Sequence, residues 1–374
     1  MNYLDAILLM CFRIFNGDRS RSAIYHLLTG KKISQTIQDA HLYGISNLFQ
    51  TMPAMSRSDF DKSCQNIIEQ KLILQKEDRH YILTEKGDKS ASVFFKNHPF
   101  PRCLEGWKYH DRAQIFWKRL SLLVQTLSYT IHGESRFYPV QRDPDIQRWV
   151  RSAFQELGPD RKKKTLRLYD ELIQLCSDSR FPDNPDFLIQ RLTGYEKIGW
   201  TAEQLAAHFQ IDSAEVHFRF LNILHYVMAE IDNAHKRYPI LHSMQQDLLK
   251  KQLIFTSSTE KTFQLMASCR SIPKIAKERK LKESTIEDHI IEIALMSPAF
   301  AVEEFVPQTL QEKIWKAASN SNNKKMRELK QAVPEASFFQ IRLVLVTRGR
   351  EDGKWKKYYT ENSVLHPSEK ARKK

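Results

Sequence analysis

A change of hydrophobic period near Lys71 constrains this chain more than any other feature. Upstream, apolar residues recur at helical spacing: Leu4, Ile7, Leu8, Cys11 and Ile14 between about Asn2 and Phe15, then Ala23, Ile24, Leu27 and Leu28 between Arg19 and Thr29. Gly17-Asp18 breaks the first helix, and Gly30 suits the left-handed cap of the second. A third helix begins at Ser56, whose hydroxyl can accept the N–H of Asp59 while the Asp carboxylate reaches back; it buries Phe60, Cys64, Ile67 and Ile68. After Lys71 the period becomes two, in Leu72-Ile73-Leu74-Gln75 and again in Tyr81-Ile82-Leu83-Thr84, around the polar turn Glu77-Asp78-Arg79-His80. Three helices followed by a hairpin make a winged helix.

The chain has 374 residues, and its 58 Lys and Arg against 44 Asp and Glu leave a formal charge of +14, a field that draws polyanions. It is too long for one compact core and divides into roughly two to four domains. The expected fold class is mainly α. A winged helix with a short hairpin spans 1–98, and a helical region spans 99–256. A helix-turn-helix bundle then spans 257–347, and a basic tail 348–374. In the tail nine Lys or Arg outnumber four Asp or Glu, with Trp355, Tyr358 and Tyr359 among them. Cys11, Cys64, Cys103, Cys176 and Cys269 share no CxxC spacing, so neither a metal site nor a disulfide framework is expected. The apolar run Ile7-Leu8-Leu9-Met10 is interrupted by Asp5 and Arg13 and lacks a leader pattern. It reads as a core helix, with no membrane span and a reduced cytoplasmic setting near the nucleoid.

Residues Ser271 to Ile290 read as a helix-turn-helix. Ala276 is small where two helices cross, Leu281 plugs the turn, and Ser284-x-x-Glu287 is a capping box opening the second helix. Sliding the sequence by seventy positions reveals a second unit at about 200–228. Leu205, Ala206, Ile211, Val216, Phe220 and Ile223 fall on Ile275, Ala276, Leu281, Ile286, Ile290 and Ile293, and Thr201-x-x-Gln204 supplies a box of its own.

Charge separates the two halves of the C-terminal unit. Its first helix and turn carry Lys274, Lys277, Arg279, Lys280 and Lys282, suited to phosphates, whereas Glu287, Asp288 and Glu292 on the second helix would repel them. Those three carboxylates are expected to face a basic surface on a protein partner such as a helicase, or to face solvent while Lys274, Lys277 and Lys280 touch DNA. The second helix of the middle unit is less hostile to DNA: His217, Arg219, Asn222 and His225 lie among its apolar positions. Between the winged helix and this unit, Phe116, Leu120, Leu123 and Leu127 form an amphipathic stripe. The block Arg161-Lys162-Lys163-Lys164 opens a helix at the end where the macrodipole favours acids, which makes a polyanion its expected counter-charge.

The run His41-Leu42-Tyr43-Gly44-Ile45-Ser46, the capped helix from Ser56, the hairpin and Leu83-Thr84-Glu85-Lys86-Gly87 together resemble the RQC winged-helix domain of RecQ-type DNA helicases. The residues from Ser271 to about Gly349 resemble the helix-turn-helix module at the C-terminus of those helicases. Both in one chain without a motor are most similar to YpbB-type bacterial proteins. The resemblance implies that Ser56, Arg57, Ser58 and Lys62 sit on duplex phosphates and that Arg79, His80 and Tyr81 form a wing tip at a duplex end. It also implies work beside a RecQ-type helicase in DNA repair or recombination.

An enzyme is not expected. Gly30-Lys31-Lys32 lacks the upstream Gly and the hydroxyl of a P-loop, no HExxH or GxSxG occurs, and Pro185-Asp186 has no Glu-x-Lys partner. No cofactor is expected. The reading is a motorless accessory protein that binds DNA ends or forks by structure. The alternatives are a helix-turn-helix transcriptional regulator and an interaction scaffold for a helicase.

Overall fold

The structure is a computed structural model and describes residues 1–156, 158, 161–251, 256–297, 300–320 and 326–351. In chain order the elements begin with α1 (Tyr3–Phe15), α2 (Arg21–Thr29), α3 (Ser34–Leu42), α4 (Arg57–Glu69), β1 (Ile73–Glu77), β2 (His80–Leu83) and α5 (Glu85–Asn97). Next come α6 (Gly106–Ile131), α7 (Pro144–Glu156), α8 (Arg161–Cys176), α9 (Asp186–Ile189), α10 (Ala202–Phe209), α11 (Ser213–Asn233), α12 (Pro239–Ser243) and α13 (Gln246–Lys251). The remainder are α14 (Ser257–Met266), α15 (Ile272–Arg279), α16 (Glu283–Met296), α17 (Gln308–Asn320), α18 (Met326–Ala332) and α19 (Phe338–Glu351). The fold is mainly α, as the sequence predicts. Two compact units form: a helical unit of residues 1–7 and 95–251, and a terminal unit of residues 8–94 with the described residues from 256 onward. Residues 8–94 of the segment read from sequence as 1–98 thus share one unit with the described residues of 257–347, while residues 1–7 and 95–98 belong to the helical unit.

In the terminal unit the hairpin pairs Ile73 with Leu83 and Leu74 with Ile82, antiparallel, with a register shift near the turn. The sequence reading places three helices before it and misses α3. That helix has no strong apolar stripe: it buries Ile37 and Ala40 alongside Gln38 and Asp39. Its buried polar groups find partners far along the chain, Asp39 on Arg19 at 2.8 Å and Gln38 on Arg342 at 3.1 Å, which no local pattern reveals.

The two N-terminal motifs are packing devices. Tyr43 is buried with its ring 4.9 Å from Phe15 and under the Arg19 guanidinium, Gly44 takes φ +66°, and the Ile45 N–H returns to the Ala40 carbonyl. Together they end α3 in a tight left-handed turn. In the second motif, the Thr84 hydroxyl donates toward the Leu72 carbonyl at 3.0 Å and accepts the Gly87 N–H at 2.9 Å, so it caps α5 and ties it to the strand before the turn. Gly87 is required by close approach: a Cβ there would stand 2.1 Å from the Leu72 carbonyl oxygen and 2.8 Å from Leu83 Cδ1.

In the helical unit, Phe116, Leu120, Leu123 and Leu127 of α6 join Val216, Phe220 and Ile223 of α11 in one core. Arg119, almost fully buried, donates to both carboxylate oxygens of Asp247 at 2.6 and 2.8 Å and to the Met244 carbonyl. The Pro- and aromatic-rich stretch before α6 packs along α11: the Cys103 N–H donates to Asn222 Oδ1 at 2.7 Å, and the Glu105 N–H to His225 Nδ1 at 3.0 Å. Burial drives the His225 imidazole from an ordinary 6.5 down to about 3, with His217 and His110 adding to the effect.

Two outcomes follow for stability. Gly87→Ala forces backbone apart at the hairpin and is expected to cost about 2 kcal/mol or more, read as a lower thermal midpoint; an unchanged midpoint contradicts the close approach. His225 stays neutral in the folded state while the unfolded imidazole protonates first. Its contribution is therefore full above about pH 6.5 and is lost as pH falls toward 3, at about 1.4 kcal/mol per pH unit. Between pH 7 and pH 5 the unfolding midpoint of His225→Gln, whose amide oxygen can still accept the Glu105 N–H, is expected to fall less than that of the natural chain. Equal slopes contradict this assignment.

Candidate nucleic-acid interface

The two helix-turn-helix units have the same local geometry at the offset of seventy found in sequence. α10 and α15 are capped by Gln210 and Lys280, which take φ +55° and +52°, and α11 and α16 begin three residues after these caps. The turns close alike, Ile211 N–H to Ala206 carbonyl and Leu281 N–H to Ala276 carbonyl, both at 3.0 Å. The Thr201–Gln204 capping box forms in full. The Ser284–Glu287 box does not, because α16 begins two residues early and Lys282 takes the cap position without a side-chain bond.

Both second helices are committed to the interior. On α11, Asn222 and His225 hold the 103–105 backbone, and Arg219 lies between Asp183 and Glu215, so three of the four polar groups that sequence marks on this helix have internal partners. On α16, Ile286, His289, Ile290, Ile291, Ile293 and Ala294 are buried as it packs against α3, α14, α15 and α19.

The acidic residues of α16 are therefore placed differently from the expectation of a partner-facing patch. Glu292 is 2% exposed; it accepts the Thr256 N–H at 2.6 Å and the Thr259 hydroxyl at 2.7 Å, closing the N-terminus of α14. Burial pushes its carboxyl up and these hydrogen bonds pull it back. Asp288 accepts Arg342 Nη1 at 2.7 Å and Gln38 Nε2 at 3.3 Å. Glu287 is half-buried, its carboxyl raised by desolvation. Spacing alone signals i, i+1 and i+5 acids and cannot show that two of them have been claimed by Thr256 and Arg342.

The basic residues of α15 divide as well. Arg279 donates to the Ser258 carbonyl at 2.9 Å and the Thr262 hydroxyl at 2.6 Å, fastening α15 to α14. Lys274, Lys277, Lys280 and the adjoining Lys282 are exposed, and none makes an ion pair among the described residues. Residues 274, 277 and 280 follow at threes, so the ammonium groups share one side of the helix and its turn.

The other predicted contacts are less open. Ser56 accepts the Asp59 N–H at 3.0 Å and donates to its carboxylate at 2.7 Å, so the carboxylate meets the hydroxyl rather than the cap N–H. Arg57 bonds Asp61 at 3.0 Å with its guanidinium over Tyr25, and Lys62 lies 3.9 Å from Asp59. Ser58 is exposed beside them. Asp59 and Asp61 thus counter the positive charge of the predicted phosphate seat. At the wing, Arg79 is exposed with φ +58°, but His80 bridges to Ser20 and Tyr81 sets its ring edge-on to Phe12 at 6.0 Å. Tyr81 is a packing residue, not part of the tip, because on the two-residue period it falls on the side that faces α1. Lys162 and Lys163 are exposed on the first turn of α8; the side chain of Lys164 and the tail aromatics Trp355, Tyr358 and Tyr359 lie outside the described residues.

Among the described residues, no helix is long and apolar enough to cross a membrane. A helix-turn-helix domain family matches residues 258–345, which suggests DNA binding. No solved structure matches the chain. The protein YpbB of Bacillus subtilis (strain 168) is 31% identical over 359 residues, a span that takes in 92% of this chain and 97% of that protein. At that identity over nearly the full length of both, the chain belongs to the YpbB family.

Proposed function

We propose that the protein is a DNA-binding accessory factor that grips duplex phosphates through α15 and its turn, without reading base sequence, and that it works beside a RecQ-type helicase in repair or recombination. One observation carries the DNA-binding mode: α16, the helix that would enter the major groove, is packed on several sides and exposes only Glu283 and Ser284 at its start, while Lys274, Lys277, Lys280 and Lys282 stand exposed and unpaired among the described residues. Ammonium groups contact phosphate as point charges and distinguish no base. The helicase partnership rests on the motif resemblance at the two ends of the chain. Arg79 at the hairpin turn is a further phosphate contact toward a duplex end.

Anisotropy titrations of full-length protein on duplexes of unrelated sequence test the mode. For about four phosphate contacts, log K is expected to fall with log salt at a slope near −3.6, alike on each sequence. Changing Lys274, Lys277 and Lys280 together to Ala is expected to reduce that slope by about 2.7. A shallow slope with one preferred operator would point to a sequence-specific regulator and overturn the proposal. Binding to the helicase with no measurable DNA affinity would make the chain a scaffold.

A further inference from the structure

The segment joining α6 to α7 combines a fixed backbone with side chains that nothing in its unit covers. Gln125 of α6, 3% exposed, donates from Nε2 to the Tyr138 carbonyl at 3.1 Å and accepts the Val140 N–H at 2.8 Å. Gln141 donates to the Ser121 hydroxyl at 3.1 Å, and Gln147 to the Gln141 carbonyl at 2.9 Å. Phe137 turns inward onto Tyr129 with ring centroids 4.8 Å apart. Tyr138 points the other way and is 95% exposed. Arg136 and Arg142 on either side of it are exposed too, and neither forms an ion pair among the described residues.

We propose that Arg136, Tyr138 and Arg142 form a contact strip for single-stranded nucleic acid on the helical unit, separate from the lysines of α15 and independent of the function proposed for them. A phenol ring offers a flat π face on which an unpaired base stacks whatever its identity, and two flanking guanidinium groups meet the phosphates on either side. A duplex presents no free base face, so the strip selects single strands. Three hydrogen bonds between the buried or half-buried side-chain amides of Gln125 and Gln147 and the backbone of residues 138, 140 and 141 already order the segment beneath the ring, which lowers the entropy lost when a ligand settles. A protein partner fits less well: an aromatic anchor for one sits within a well-packed apolar surround, whereas here two exposed cations flank the ring and Val140 is the one other exposed large apolar side chain of the segment.

The test is anisotropy of full-length protein with labelled oligo-dT, oligo-rU and a blunt duplex. Tyr138→Ala is expected to weaken single-strand binding by about fivefold or more while Tyr138→Phe holds it within about twofold, since the ring and not the hydroxyl makes the contact. Arg136→Ala with Arg142→Ala is expected to reduce the single-strand salt slope by about 1.4. Duplex affinity stays unchanged in all three variants. A loss on either single strand supports the strip, and comparing the two identifies the sugar it prefers. The proposal is overturned if the natural chain binds no single strand, if Tyr138→Ala binds as well as the natural chain, if Tyr138→Phe loses as much as Tyr138→Ala, or if the duplex loses equally. Each substituted side chain is exposed, so an unchanged thermal midpoint checks that folding is intact.

Discussion

The Asp288 carboxylate holds three helices of the terminal unit to one another. It accepts Arg342 of α19 and Gln38 of α3, residues that lie 54 and 250 positions away, and Arg342 in turn donates to Gln38. Around this cluster α16 gathers α3 on one side and α14, α15 and α19 on others, which fixes it as the central helix. A helix in that position exposes only Glu283 and Ser284 of its first turn, with Glu287 and Asp288 half-buried, which leaves little surface for a DNA groove. The half-buried setting strengthens the charge-assisted bonds, while loss of either partner would leave an ion without its counter-charge. Glu292 adds to the same commitment from the other end, by capping α14.

Much of this was legible in the sequence where the physics is local. The break at Gly30, the period change at Lys71, the Thr201 capping box and the seventy-residue offset all depend on neighbours within a few turns, and the structure contains each of them. What escaped depends on tertiary pairing. α3 hides its burial among Gln38 and Asp39, polar residues accommodated inside by Arg342 and Asp288 for the first and by Arg19 and Gln35 for the second. The charges of α16 looked like a docking patch because a carboxylate's partner at a separation of 54 residues leaves no trace in spacing. Tyr81 looked like an exposed tip because sequence gives the alternation of a strand but not which side meets α1.

The same division applies to the candidate site. Type and spacing were enough to mark Lys274, Lys277 and Lys280, since three lysines at intervals of three have few structural uses. They were not enough to separate these from Arg279, which the fold spends on Ser258 and Thr262. At α4 the sequence showed both the donors and the carboxylates beside them, and the structure joins them: Ser56 to Asp59 and Arg57 to Asp61. Phosphate contact there would have to displace these bonds, whereas at α15 no ion pair among the described residues stands in the way.

The central claim is that DNA meets α15 and its turn while α16 stays inside the fold. Lysine acetylation followed by mass spectrometry, with and without saturating duplex, tests it most directly. The account predicts that Lys274, Lys277, Lys280 and Lys282 are shielded by DNA to the same degree on unrelated sequences. Full reactivity at these four lysines in the DNA-bound protein would contradict it.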